Sequence, residues 1–280
     1  MLRLSLAVAI ALVPLLASAE DCAFHAERSV TVDAKGLDGL KLDTGAGDLV
    51  IEGVPDLERI EVSGKACASE QAALDAIKFE KQRDGGKAVI ATSIPNEGEN
   101  WSLLGNHYAY MDVTVRMPAR LALSLRDSSG DLEASKIDGN IDLMDSSGDI
   151  RLHDLGGNVE VSDTSGDIGI HGVAGKVTIL SDSSGDIDIG DVKGDAIVHQ
   201  DSSGDIDFNR IGGNASVDRD SSGDIDFRDI GKDASVGSDG SGDIEADGVH
   251  ANFSVAHKAG NGDNIRYRNV AGKVTLPPAD

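Results

Sequence analysis

The chain has 280 residues, a formal net charge of −24 and only nine aromatic side chains. An acidic excess on that scale repels phosphate backbones and anionic headgroups, which excludes nucleic acid and anionic membrane surfaces as partners. Two cysteines without matching histidine spacing exclude a structural zinc site.

Residues 1–19 read as a secretory signal. Arg3 supplies the positive start, Leu4 to Leu16 the apolar stretch, and Ala17-Ser18-Ala19 the small-residue cleavage site. The stretch is too short to span a bilayer, and no later segment approaches 18 consecutive apolar residues. The mature chain is therefore expected to begin at Glu20 and to be soluble in the periplasm or at the cell surface. Glu20 and Asp21 stand where a lipid-attachment box before Cys22 would need small residues. In an oxidising compartment a Cys22–Cys67 bridge is the natural expectation, tying the mature N-terminus to the body, with two buried free thiols as the alternative.

Residues 20–126 read as an N-terminal cap that contains a first coil and an insertion. Asp43-Thr44-Gly45-Ala46-Gly47-Asp48, followed by Leu49, Ile51 and Val54, is a forerunner of a repeat that resumes only at Asp127. Between them the pattern predicts a strand at Ile60–Ser63 and a short helix with Ser69 as N-cap, Leu74 and Ile77 forming its apolar face. A hairpin follows, Phe79–Arg83 and Lys87–Thr92, turned at Asp84-Gly85-Gly86. An irregular stretch, Pro95 to Gly105, precedes strands at Met111–Val115 and Leu121–Leu125. Trp101, Tyr108 and Tyr110 concentrate here, either as ligand-facing aromatics for sugar rings or as apolar filler for the end of the array.

From Asp127 to residue 276 one motif dominates, Asp-Ser-Ser-Gly-Asp-Ile with small variations. Its glycines are Gly130, Gly148, Gly166, Gly185, Gly204, Gly223 and Gly242, with a weaker copy at Gly262, in steps of 18, 18, 19, 19, 19, 19 and 20 residues. Counted from the glycine, apolar side chains recur at +2 and +4 (Ile206 and Phe208, for example), at +7 (Ile211) and at +11 and +13 (Ala215 and Val217). The paired offsets have the period of strands with one buried face. A second glycine at +9 (Gly139, Gly157, Gly175, Gly194, Gly213) marks the other bend, where a positive φ is expected. One coil buries too little to fold alone. A fixed period near 20 residues therefore predicts an all-β, parallel β-solenoid of about eight stacked coils, on the order of 40 Å long. Residues 277–280, opening with Pro277-Pro278, form a tail that stops strand pairing.

The Ser-Gly-Asp-Ile coil, the helix-and-hairpin insertion before the array and the Met117-Pro118 step leading into it resemble the bacterial "putative adhesin" family of exported domains, related to head-GIN-type domains. The resemblance covers Leu40 to Leu276 and is most specific over Asp127 to Ile244. It implies a solenoid without enzymatic activity and an adhesive or cell-envelope role.

Stacking aligns equal offsets into columns of aspartate. Offset +1 gives Asp131, Asp149, Asp167, Asp186, Asp205, Asp224, Asp243 and Asp263; offset −3 gives Asp127, Asp145, Asp163, Asp182, Asp201, Asp220 and Asp239; Asp188, Asp207 and Asp226 add a third column. Like charges about 4.8 Å apart repel by roughly 1 kcal/mol in water and by about 3–4 kcal/mol at an effective dielectric near 20. Three forms of relief are open: hydrogen bonds from turn N–H and hydroxyl groups, protonation, or bridging cations. For the last, Asp182, Asp186, Asp201, Asp205, Asp220 and Asp224 are the candidate Ca²⁺ ligands. The seven histidines share no offset and read as surface residues. No catalytic constellation stands out, and a polysaccharide-active β-helix would need one distinctive site where these coils repeat. The reading is a monomeric, non-catalytic adhesin or cell-envelope scaffold with a protein or glycan partner and no obligatory cofactor, the alternative being a Ca²⁺-binding structural rod.

Overall fold

The computed structural model describes residues 22–95, 107–259 and 264–278. The signal segment, Trp101, Gly262 and Asp263 lie outside the described residues. The architecture is the expected parallel β-solenoid with one short helix near its N-terminus.

Each coil contributes one strand to each of two 12-stranded sheets. Within the array the odd-numbered strands, β9 (Leu132–Ser135) to β23 (Ile265–Arg268), build one sheet. The even-numbered strands, β10 (Ile141–Met144) to β24 (Val274–Thr275), build the other. Pairing is parallel and in register from coil to coil: Ile187, Ile206 and Ile225 stand side by side, as do Ala196, Ala215 and Ala234. The +2, +4, +7, +11 and +13 residues are buried between the sheets, a continuous apolar core without a boundary between coils. Phe208 stacks on Phe227 with ring centroids 5.2 Å apart and planes within 4°. Such stacking adds to area burial because equal positions in adjacent coils repeat the same ring.

The change from 18-residue to 19-residue coils has a local cause. Val161 pairs with Ile179, but Ser162 pairs with Ser181, leaving Leu180 as a bulge on the outer face. The extra residue adds a kink and leaves the inward pattern on both sides undisturbed.

In the cap the chain order and the spatial order differ. The first coil in sequence is β2 (Gly39–Asp43) with β3 (Leu49–Val54). The chain then runs back through β4 (Arg59–Ala68), helix α1 (Gln71–Ala76) and the hairpin of β5 (Lys78–Asp84) and β6 (Lys87–Ser93). It returns through β7 (Ala109–Pro118) to β8 (Ala122–Arg126). As a result β2 lies between β6 and β8, and β3 between β7 and β9, so the earliest coil is not the end of the stack. Beyond it, β1 (Phe24–Asp33) and β4 pair antiparallel and shield the edge of one sheet, while β5 closes the other. A terminal edge made of antiparallel strands cannot accept another parallel coil in register, which limits edge-to-edge association.

Two local expectations are corrected. The helix N-cap is Glu70, which makes no side-chain capping bond; the Ser69 hydroxyl instead accepts the Tyr108 N–H. The +9 glycines do not have positive φ. Within the array, positive φ falls on the motif glycines and on the +6 column of Lys136, Asp154, Gly172, Asp191, Arg210, Asp229 and Gly248, the latter with φ of 56–74°. The glycines at +9 make room for a close backbone contact: a Cβ on Gly157 would lie 2.4 Å from the carbonyl oxygen of Gly139 in the preceding coil, while the later coils carry Lys232 and Ala251 at this offset.

Cys22 and Cys67 are joined, their Cα atoms 5.8 Å apart across a sequence separation of 45 residues. The bridge fastens the segment leading into β1 to β4 at the rim of the cap. Closing a loop of that size restricts the unfolded chain, so Cys22→Ser with Cys67→Ser is expected to cost about 2–4 kcal/mol. Mass spectrometry of the non-reduced protein should find it lighter by two hydrogens than the reduced form. Two alkylatable thiols would exclude the bridge.

Candidate functional site

The aspartate columns stand on opposite sides of the Ser-Ser-Gly turn and have different surroundings. The +1 column is on the solvent side. There, Oδ1 of each aspartate accepts the backbone N–H of the next, from Asp131–Asp149 through Asp224–Asp243, at 2.8–3.2 Å. The column begins earlier still, because Asp48 accepts the Asp131 N–H. Each carboxylate thus satisfies an N–H of the adjacent coil, and these bonds relieve the repulsion along the column. A second ladder, unread in the sequence, runs along the opposite bend. Asn140, Asn158, Asp195, Asn214, Asp233 and Asn252 each accept the N–H one coil further on. Its signal was available as the Asn or Asp that recurs at offset +10.

The −3 column points inward. Asp127, Asp145, Asp163, Asp182, Asp201, Asp220 and Asp239 are all buried, Asp201 completely. In Asp145, Asp163, Asp182 and Asp220 the Oδ1 accepts a backbone N–H of its own turn. At one end the Thr44 hydroxyl donates to Asp127 at 2.6 Å, and at the other Lys258 meets Asp239 at 2.5 Å, both side chains being shielded. Burial raises the carboxyls of Asp127 and Asp182 to about 6 and those of Asp145 and Asp220 to about 7, and it moves Asp163 and Asp201 upward too. Loss of water around the charged form is the main cause, reinforced by neighbouring aspartates at Asp145, Asp182 and Asp220.

The proposed calcium ligands are therefore divided. Asp186, Asp205 and Asp224 lie outside, bonded to backbone, while Asp182, Asp201 and Asp220 lie inside. Among the described residues, no group of three or more aspartate, glutamate, histidine or cysteine side chains is arranged to hold a metal ion.

Outward strand positions carry ion pairs spread along the rod. Arg151 reaches Asp131 and Asp149, Arg228 reaches Asp207 and Asp226, and Arg268 reaches Glu245 and Asp247. Arg210 grips Asp191 with both arms at 2.6 and 2.7 Å across adjacent left-handed bends. One expectation about histidine is corrected: His153 and His171 do share an offset, +5, and pair in neighbouring strands. Each has its own carboxylates, Glu133 and Asp154 for the first and Asp188 for the second.

Tyr108 and Tyr110 pack together at the cap rim with ring centroids 6.3 Å apart. The Tyr108 hydroxyl accepts the Ala23 N–H, and Tyr110 sits opposite Cys67 in the sheet. A cleft of about 220 Å³ lies there, lined by Cys22, His25, Lys65, Cys67, Tyr110 and Asp112. The pair is thus built into the disulfide end of the cap.

In-register parallel pairing with side-chain ladders at both bends defines a two-sheet β-solenoid closed by an antiparallel cap. The model of the Toastrack DUF4097 family matches residues 97–276, and the chain belongs to that family. No curated protein is significantly similar to it. Among solved structures it is similar to a putative lipid binding protein from Parabacteroides distasonis, at 17% identity and a TM-score of 0.48 over 90% of this chain and 96% of the other. A putative adhesin from Bacteroides fragilis gives 13% and 0.44 over 90% and 97%. A putative cell adhesion protein from Clostridium sporogenes gives 14% and 0.36 over 91% and 99%.

Proposed function

We propose that this chain is an exported, non-catalytic binding or scaffolding module of the cell envelope, which presents repeated faces of a rigid rod to a protein or glycan partner. The observation that carries this reading is the distribution of the outward charges. Ion pairs are scattered from Arg151 to Arg268 within a large acidic excess that recurs in every coil, so the surface has no single focus. A periodic face suits polyvalent contact, in which many weak contacts at fixed spacing add to a usable avidity. Among the described residues no helix is long and apolar enough to cross a membrane.

Incubation of the purified mature chain with an array of envelope polysaccharides and glycoproteins tests the reading. Retention that weakens steeply when the ligand is shortened, with the ligand recovered intact, is the expected result. Release of shortened polysaccharide would replace the module with an enzyme. Fractionation of the producing cells should place the chain outside the cytoplasm.

A further inference from the structure

The inward aspartates present a problem that the outward ones do not. Of the buried polar side chains among the described residues, only Ser135, Thr178 and the Lys258 that closes one end lie outside the column that runs from Thr44 through seven aspartates. In Asp127, Asp145, Asp163, Asp182, Asp201 and Asp220 the Oδ2 is buried and has no hydrogen-bond partner. An ionised carboxylate in that state is costly, and an unbroken series of them at strand spacing is more so. In Asp201 both carboxyl oxygens are without a partner, and parallel pairing sets Asp220 beside Asp239 in adjacent strands. A proton placed between such neighbours turns a repulsive contact into an O–H···O bond and gives an orphaned oxygen a partner.

We propose that the buried column is a shared-proton ladder, with neutral carboxyls alternating with carboxylates through the interior, and that the rod is most stable when the ladder is loaded and loosens when it is emptied. Few other groups bear on it. The Thr44 hydroxyl and Lys258 close its two ends, Asp43 and Asp48 stand near Asp127, and Asp186 stands near Asp201. Elsewhere each carboxyl faces the aspartates above and below it. At the Lys258 end the column meets a cleft of about 560 Å³, lined by Arg219, Asp220, Asp239, His257 and Lys258, which is a route for proton exchange with solvent.

The direction follows from linkage. Asp127, Asp145, Asp163, Asp182, Asp201 and Asp220 bind protons more tightly folded than unfolded, so their stabilisation is complete below the unfolded value of about 3.9. It is lost as pH rises through the folded values of about 6 to 7. The exposed carboxylates held low by ion pairs, such as Glu61 beside Arg59, weaken the fold only toward acid pH. Maximal stability therefore falls on the mildly acidic side of neutral.

Thermal melts of the mature chain between about pH 5 and pH 8.5 should show the midpoint falling by roughly 5–10 °C as pH rises. Asp145→Asn, Asp182→Asn and Asp220→Asn combined replace alternate rungs with permanent amide donors and should flatten that profile. An infrared carbonyl band from protonated carboxyl should be present in the wild type near pH 6 and absent at pH 8.5. This band decides the matter by itself if the triple variant does not fold. A flat wild-type melting profile, or no protonated carboxyl near pH 6, would overturn the ladder. So would a high-pH loss reversed by millimolar Ca²⁺ but not by NaCl of equal ionic strength, because cations would then occupy the column.

Discussion

Ile206→Asp is expected to abolish the soluble rod, whereas Asp207→Asn, one residue on, should leave it intact. Ile206 has no exposed surface and is flanked by Ile187 and Ile225 in the neighbouring coils. A carboxylate there has no partner and no water, a class of change that costs more than about 4 kcal/mol. That is comparable with the whole stability of a typical domain, about 5–15 kcal/mol. The aspartates of the −3 column do not show such a site to be tolerant, because they stand at the turn with a backbone N–H in reach and Ile206 stands mid-strand. Asp207 lies on the outer face, paired with Arg228 at 2.8 Å. Losing one surface pair should cost less than about 1 kcal/mol. Chemical denaturation of both variants measures the difference, and equal losses would mean that the inward and outward positions are wrongly assigned.

Gly204→Ala should be nearly as damaging, for a reason of space. Gly204 has φ +126°, a conformation that side-chain-bearing residues rarely adopt. A Cβ there would lie 1.8 Å from the carbonyl oxygen of Gly185. The clash is with backbone of the preceding coil, so relief requires the coils to separate and the flanking ladder bonds to lengthen. We expect a loss above about 4 kcal/mol, or failure to fold. Gly85→Ala is the control. It has φ +55° in the hairpin turn but nothing within 4 Å of the added Cβ, so only the left-handed strain of about 1–2 kcal/mol applies. Similar melting temperatures for the two variants would show that coil spacing is softer than the geometry implies.

The contrast between these glycines also shows which parts of the structure were legible in the residues alone. The solenoid, its two strands per coil and the inward side chains followed from the repeat, because a strand's side chains alternate and a register kept over many copies has one economical stacking. Alternation places Ile206 and Phe208 in the core, the recurrence at +7 places Ile211 there, and all three are buried. The bends were harder. At a turn, side-chain direction depends on φ and ψ and not on alternation, so nothing in the letters showed that Asp182 points inward while Asp186 points outward. Five of the seven left-handed +6 positions carry Asp, Lys or Arg, which announce no special backbone, and the +9 glycines have no positive φ but leave room for a neighbouring carbonyl.

Long-range pairing was likewise decided by the tertiary structure. Successive coils in sequence suggested successive layers in space, yet the strands Lys87–Ser93 and Ala109–Pro118 pass outside the earlier coil and become the layer beneath it. The sequence alone determined that this protein is a repetitive, acidic, parallel rod, since period, alternation and composition are local properties of the chain. Only the folded state decided which of its aspartates meet water and which share an interior without it, because stacking brings together residues 18 or 19 apart and burial then sets their charge.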